Sequence, residues 1–291
     1  MRSLLFAPAD NRSKLTEALE SGADGVLLDL AGSVASRSKS EARKQACAFI
    51  AAAKAKAHHP LIFVRLNELD TEMIEADLDA ILRARPDGVV LADAQSGQAV
   101  QHLGAKLAVM EAELGLADGS TRIIAAVAGT AASIFNMGTF ADASPRLAGL
   151  VWSADDLSTS LGASAHRAPD GSYASPHALA RDLTLFAARA ADVPLIDGPT
   201  LNCRDAACFR LECEAAQRDG FDGKIARDRE QVAAINAVFT PPEQVLARAR
   251  AIIEAFAAEP DARVLAFQGE TLNPAHLAQA RRLLRRLPSR R

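Results

Sequence analysis

Long apolar runs are missing from this chain. None reaches the roughly 18 residues that a membrane-crossing helix needs, and the run nearest the start, SLLFA, is broken at Pro8 and Asp10, too short for the core of a secretion signal. Paired cysteine spacings are missing as well. Cys47 stands far from Cys203, Cys208 and Cys213, and no CxxC occurs, which argues against a zinc site or a disulfide framework and for a reducing compartment. There is no excess of either charge: 33 Lys and Arg face 36 Asp and Glu, for a formal net charge of −3. No long-range basic field is therefore available to attract nucleic acid or an anionic membrane. No GxGxxG follows the first apolar run, and neither a GxSxG elbow nor a Walker loop occurs, which removes the usual warrants for a dinucleotide-binding, serine-hydrolase or nucleotidase reading. A soluble cytoplasmic protein without nucleic-acid or membrane partners is the expectation.

What is present is a regular alternation. Short β-rich runs (SLLFAP, GVLLDL, LIFVRLN, GVVLAD, RIIAAVAG, LAGLVWSA, VPLID and DGKIA) are separated by longer helical patterns, several opened by Ser, Thr or Asp in the manner of N-caps. Such alternation predicts a parallel sheet with helices outside it. Eight strands are the number that closes a barrel, so the predicted fold class is α/β, a (β/α)8 TIM barrel, over residues 1–240. Residues 241–291 hold a proline-led helix, a short extended piece and a basic helix with six Arg in the last eleven positions. They predict a C-terminal helical extension, an oligomerisation arm with an apolar stripe that the barrel does not need for itself.

Ligands of a TIM barrel meet the carboxyl ends of its strands, and there the chain carries Asp29, Arg65, Asp93, Gly129, Asp155 and Asp156. Taken in order, RSLLFAPADNRSKL, LLDLAGSVA, FVRLNELDT, GVVLADAQS, LVWSADDLSTSLGA, IDGPTLNCRD, GFDGKIA and INAVFTPPEQV resemble the citrate lyase β-subunit-like branch of the HpcH/HpaI aldolase superfamily. The resemblance implies the same barrel in a homo-oligomer, a trimer or a multiple of one, in which the C-terminal extension packs over a neighbouring subunit. It also implies a carbon–carbon lyase acting beside a CoA thioester or a 2-keto acid, and a divalent metal such as Mg2+ that chelates two substrate oxygens.

Several working positions of that pattern hold other residues here. SADDL keeps an acid at the ligand position, Asp156, with Asp155 before it. Gly129 stands where the resemblance has a ligand glutamate, Ala31 and Gly32 where it has two acids holding metal-bound water, Asp93 for a lysine and Gln95 for an acid. KIARDR replaces a KLCIHP-like string and brings Arg227 and Asp228. Magnesium binding at Asp156 and Asp155 is accordingly expected to be weak or lost, with Asp93 returning a carboxylate from another strand.

The catalytic candidates are Arg65, Asp29 and Asp93. Arg65, a planar fork, suits a carboxylate or thioester oxygen, or else an ion pair with Asp29 or Asp156. Asp156 serves as a metal ligand or in capping a helix. Asn11, Arg12 and Lys14 follow the first strand, where the resemblance contacts CoA phosphates; the other reading is an exposed first turn. His166 and His177 flank the Gly-, Ala-, Pro- and Ser-rich stretch GASAHRAPDGSYASPHA, which suits a mobile lid at the catalytic rim. The expected function is retro-aldol or retro-Claisen cleavage of a 3-hydroxy acyl-CoA or a related keto/hydroxy dicarboxylate. The alternative is a metal-deficient family member that binds a ligand or a partner without catalysis.

Overall fold

The structure, a computed structural model, describes residues 1–200, 203, 205–260 and 262–285. Strands β1 (Ser3–Pro8), β2 (Gly25–Asp29), β3 (Leu61–Arg65), β4 (Gly88–Leu91), β5 (Arg122–Val127), β6 (Leu147–Trp152), β7 (Leu195–Asp197) and β8 (Gly223–Ala226) run parallel and close in sequence order. Closure is made by β1 pairing with β8, Leu4 opposite Ile225. All eight apolar runs read from the sequence are therefore strands of one barrel.

Side chains alternate along each strand, so one set of residues must face the barrel axis and the other the helices. Leu4, Leu27, Phe63, Val90, Ile124, Val151, Ile196 and Ile225, one from every strand, pack together as the interior ring. The neighbours of opposite parity, among them Val26, Leu28, Ile62, Val64, Val89 and Leu91, belong to the larger core beneath the helices. Two residues beyond the ring, the same period brings Phe6, Arg65, Ala126, Ser153 and Arg227 to the carboxyl-terminal mouth, where all five line one cavity.

The outer layer consists of α1 (Arg12–Leu19), α2 (Lys39–Lys54), α3 (Ile74–Ala84), α4 (Gly97–Glu113), α5 (Ala131–Ile134), α6 (Ala154–Leu161), α7 (Ser175–Ala190), α8 (Ala206–Asp219) and α9 (Arg229–Phe239). After β5 the helical pattern TAASIFNMGTFADA does not yield one helix. It gives the single turn α5, opened by a capping box between Thr130 and Ser133, followed by a 3-10 turn over Met137–Phe140. Cys208 and Cys213 lie in α8, and Cys213 is buried.

Beyond the barrel come α10 (Glu243–Ala258), the antiparallel pair β9 (Leu265–Phe267) and β10 (Glu270–Leu272), and α11 (Pro274–Arg285). They share a small core of their own, built on Ile252, Phe256, Leu265 and Leu272. Arg285 also reaches Asp192, in the turn entering β7, at 2.9 and 3.1 Å. This pair is solvent-exposed and worth under about 1 kcal/mol, and the apolar cluster, made of extension residues, holds α10, β9, β10 and α11 to one another. The contact places α11 at the end of its own barrel opposite the mouth. Of the Arg-rich terminus, Arg286, Arg290 and Arg291 lie outside the described residues, as do Leu201, Asn202 and Arg204 of the IDGPTLNCRD string. No helix among the described residues is long and apolar enough to cross a membrane.

Candidate active site

The mouth holds a cavity of about 710 Å3 floored by Phe6, Leu27, Val90, Ala126, Val151 and Ile225. Above this apolar floor charged groups stand around the wall. Arg65 and Glu68 come from β3 and the loop after it, Asp93 from just after the adjacent β4, Asp155 and Asp156 from the start of α6, and Arg227 from just after β8. Arg65, Asp93, Gly129 and Asp156 are thus brought together as expected. Arg65 forms neither of the ion pairs open to it from the sequence, and its Nε is buried without a hydrogen-bond partner.

Asp93 is held by a short chain of polar groups. Gln95 donates through Nε2 to Asp93 Oδ2 at 2.6 Å, and Thr130 Oγ1 donates to Gln95 Oε1 at 2.7 Å. Thr130 is itself fixed as the N-cap of α5. Left-handed backbone at Asp93 (φ +44°) and Ala128 (φ +60°) turns the ends of β4 and β5 toward each other. Backbone of this kind costs on the order of 1–3 kcal/mol and persists only where its surroundings impose it. The result is a close approach: a Cβ built on Gly129 would stand 3.0 Å from Asp93 Oδ1 and 3.6 Å from Asp156 Cβ. The missing side chain at 129 and the carboxylate at 93 occupy neighbouring space. The sequence marks Gln95 only as standing for an acid, and Thr130 is not among the candidates; the only signal for Thr130 is a position just beyond a strand end.

The donor set does not fit a resident magnesium. Among the described residues no group of three or more His, Cys, Asp or Glu side chains is placed to hold a metal ion. Asp155 and Asp156 are neighbours in the first turn of α6, whose N-cap Ser153 makes no side-chain cap bond, so both acids sit favourably at the helix N-terminus without any cation. Asp155 further approaches His166, Oδ1 to Nδ1 at 3.4 Å. A hard cation that keeps most of its waters can bind one or two carboxylates, but weakly and without a fixed geometry.

Two expectations need correction. Asp29 lies at the right end of β2 but does not reach the cavity. It is 0% exposed, and its two carboxylate oxygens accept from the amides of Ala31 (3.0 Å) and Ser33 (2.8 Å). Its parity is correct, but the tight loop after β2 takes up both oxygens with its own part-buried amides. Arg12 is not a phosphate contact of the mouth either: its side chain is 83% exposed and lies 3.9 Å from Glu41. Asn11 and Lys14 do line a second cleft, of about 380 Å3, together with Pro8, Cys203, Arg227 and Asp228. There Asn11 caps α1 by accepting from Lys14 N at 3.1 Å. Lys14 Nζ is taken up by Asp228 at 3.0 Å and Glu17 at 3.6 Å.

Buried polar networks brace the mouth from below. Asp197, at the end of β7, accepts from Trp152 Nε1 at 2.8 Å and from Lys224 Nζ at 2.6 Å, with Arg181 Nε at 3.7 Å. Burial alone would raise the Asp197 carboxyl, but the cations Lys224 and Arg181 hold it below the ordinary carboxylate range. On the other side Lys39 Nζ donates to the carbonyls of Leu30 and Ala31 and to Asn67 Oδ1, at 2.5, 2.6 and 2.8 Å. Asn67 is held in turn by Asp77, which pairs with Arg43 at 2.6 Å. These bonds clamp the loops after β2 and β3, the second of which follows directly on Arg65.

The stretch read as a mobile lid is a pinned hairpin. Arg167 bridges to Tyr173, stacks its guanidinium 4.0 Å from that ring's centroid, and grips Glu212 of α8 at 3.0 and 2.7 Å. At its base His177, 1% exposed, places Nε2 2.9 Å from Ser158 Oγ. Ser158 already donates to the Ala154 carbonyl at 2.9 Å, so His177 is the donor and its buried Nδ1 has no partner. A second proton would have no acceptor, and burial followed by the neighbouring His166 depresses the His177 pKa. In the unfolded chain this histidine protonates near its ordinary 6.5. The folded chain takes the proton only at lower pH, so the stabilisation is complete above the unfolded value and is lost as pH falls from there toward the folded one. Urea midpoints at about pH 8 and about pH 5.5 should separate more in the parent protein than in His177→Gln; equal separations would remove His177 as the source.

Fold and mouth together define a TIM-barrel protein whose site is a charged cavity at the carboxyl ends of the strands. Residues 2–228 match the HpcH/HpaI aldolase/citrate lyase family, and the chain belongs to it. It is 28% identical over 286 residues to the citrate lyase subunit beta of Leuconostoc mesenteroides, covering 98% of this chain and 92% of that protein. A (3S)-malyl-CoA thioesterase of Cereibacter sphaeroides is 31% identical over 289 residues, with 97% and 93% covered. Among solved structures, CitE of Mycobacterium tuberculosis in complex with magnesium, acetoacetate and coenzyme A superposes with a TM-score of 0.71 at 28% identity, covering 98% of this chain and 97% of that one. The chain is thus a CitE-like HpcH/HpaI protein.

Proposed function

We propose that this barrel is a carbon–carbon lyase that binds a small keto/hydroxy dicarboxylate or a 3-hydroxy acyl-CoA in the mouth cavity. The observation that carries the reading is Arg65, a guanidinium on the cavity wall with an unpartnered Nε, in a cavity that it shares with a carboxylate, Asp93, bonded to Gln95 and through it to Thr130. In this reading Arg65 pairs with the carbonyl or carboxylate of the fragment that becomes the enolate. Asp93 accepts the proton of the hydroxyl on the β carbon. As that O–H bond breaks, the hydroxyl carbon becomes a carbonyl and the bond to the α carbon cleaves. Its electron pair forms the enolate opposite Arg65, and the proton held by Asp93 returns to the α carbon. Both products leave with protons and electrons balanced. No step is routed through magnesium, since the acids present do not build a site for it.

Of the relatives, the citrate lyase subunit supports lyase chemistry by its name and the malyl-CoA thioesterase supports only an acyl-CoA ligand, while the CitE complex holds acetoacetate and coenzyme A. A second reading, a ligand-binding or partner subunit that no longer catalyses, is favoured by the missing side chain at Gly129 and the lack of a metal-holding cluster among the described residues. Product analysis by mass spectrometry on malyl-CoA and on a free 4-hydroxy-2-keto dicarboxylate separates the two. Cleavage products that disappear by about 100-fold or more in Arg65→Met and Asp93→Asn support the lyase. Ligand binding without products supports the second reading, and neither binding nor products would end both.

A further inference from the structure

We infer that Arg227 is a second anion clamp of the mouth, so that the cavity takes a ligand with a carboxylate at each end, held between Arg65 and Arg227 without a divalent cation. This rests on the reading of Arg65 as a carboxylate or carbonyl partner and adds to it the residue that selects the far end of the ligand.

The period of the strands places the two guanidiniums together. Arg65 lies two residues beyond Phe63, and Arg227 two residues beyond Ile225, both members of the interior ring, and both arginines line the same cavity. Strands β8, β1, β2 and β3 are consecutive neighbours in the closed barrel. Three inter-strand spacings make roughly 14 Å of wall. Two arginines reaching inward from its ends leave room for a short carbon chain with a charge at either end.

Neither charge is spent within the protein. Among the described residues neither Arg65 nor Arg227 enters an ion pair. The acid adjacent to Arg227, Asp228, is turned to Lys14 instead, at 3.0 Å. The backbone of Arg227 is anchored, its amide donating to Gln231 Oε1 at 2.8 Å, so the side chain projects from a fixed point. Of the cavity acids, Asp93 is bonded to Gln95 and Asp155 lies beside His166, and neither enters an ion pair with Arg65 or Arg227. Each guanidinium can pair one carboxylate of a dianion, and among the described residues no metal-holding cluster offers another counter-charge. Removing either guanidinium would leave one carboxylate uncompensated in a partly desolvated site, which typically costs 10-fold or more in affinity, about 2 kcal/mol or above.

The same charges argue against a polyphosphate in the adjoining cleft. Lys14 is engaged by Asp228 first and Glu17 second, and a phosphate chain would have to displace both acids. Arg227 stands at the junction, lining cleft and cavity alike, and is left to the cavity ligand.

The test is calorimetric titration of the full chain with oxaloacetate, a dicarboxylate, and pyruvate, which lacks the second carboxylate, in EDTA and again with excess magnesium. Arg227→Met should weaken oxaloacetate by about 10-fold or more while changing pyruvate by less than about 3-fold. Arg227→Lys, which keeps the charge but loses the fork, should recover part of the difference. Both ligands should bind the parent protein equally with EDTA or magnesium, and Arg65→Met should weaken both. Equal effects of Arg227→Met on the two ligands, no effect at all, or oxaloacetate binding that vanishes in EDTA would each overturn the inference, leaving the Arg65 reading in place. Arg65→Met binding both ligands as the parent does would overturn that reading and the inference together.

Discussion

Replacing Lys224 with methionine is expected to destabilise the barrel by about 3–5 kcal/mol, the loss typical when one partner is removed from a buried ion pair. Lys224 is 0% exposed and its ammonium donates to Asp197 Oδ2 at 2.6 Å and to the Gly198 carbonyl at 2.9 Å. Methionine fills much of the same volume, so the cost lies in what is left behind: a buried carboxylate with Arg181 Nε at 3.7 Å and the Trp152 indole as its remaining partners. In the parent protein burial alone would raise the Asp197 carboxyl, and Lys224 is the chief group holding it low. A carboxyl held low in the folded state contributes stability that is present above its unfolded value and is lost as pH falls through the folded one. Without Lys224 that contribution shrinks, so the gap between variant and parent should narrow toward acid pH. Adding Asp197→Asn to Lys224→Met should recover part of the loss by removing the stranded charge. Urea unfolding at several pH values measures all of this. A loss under about 1 kcal/mol would mean that water or Arg181 compensates the carboxylate, and the network would then be a minor support. Trp152 ties the network to function, because it is both a donor to Asp197 and part of the cavity wall.

The barrel was legible in the sequence because its strongest signals are local. Eight apolar runs at regular spacing, separated by amphipathic helical patterns, leave few other ways to bury them, and the period of two carries Arg65 to the mouth from LIFVRLN alone. The same period also placed Asp29 correctly in height and wrongly in role. Whether a strand-end carboxylate opens to solvent or turns back onto its own loop depends on where the amides of Ala31 and Ser33 point, which no spacing rule conveys. The lid was misread for a related reason. A composition rich in Gly, Ala, Pro and Ser suggests freedom, but Arg167 finds Glu212, which is 45 residues away in sequence, and Tyr173 beside it. Lys14 resembled a phosphate contact until Asp228, from the other end of the barrel sequence, was found against it. Long-range pairing decides each of these cases. Lys224, by contrast, was a signal that could have been used: a lysine inside the apolar run DGKIA requires a buried acid, and VPLID, which forms the neighbouring strand, ends in one.

Building a magnesium site into this mouth is expected to succeed only when Asp93 is changed as well. Gly129→Glu supplies the carboxylate that the family resemblance places after β5, but its Cβ would arise 3.0 Å from Asp93 Oδ1, bringing two carboxylates together in a partly buried wall. Asp93 cannot swing away without breaking its bond to Gln95 and, through Gln95, the link to Thr130 at the cap of α5. Gly129→Glu alone should therefore bind magnesium little better than the parent protein and should be less stable. Adding Asp93→Lys removes the like charge and places a cation against the new glutamate. Ala31→Glu and Gly32→Asp then provide groups to hold the metal's waters, and at Gly32 a new Cβ meets nothing within 4 Å. Such outer groups are worth about 10- to 100-fold in metal affinity, so the fourfold variant should exceed Gly129→Glu/Asp93→Lys by that factor. Ala31→Glu/Gly32→Asp on the parent background should gain almost nothing, because there is no inner ligand for the waters to join. Calorimetric titration with magnesium reads these couplings directly, since residues sharing one site depart from additivity. If Gly129→Glu by itself gave tight binding, Asp93 would be a ligand rather than an obstacle, and the proton-accepting role proposed for it would have to be given up.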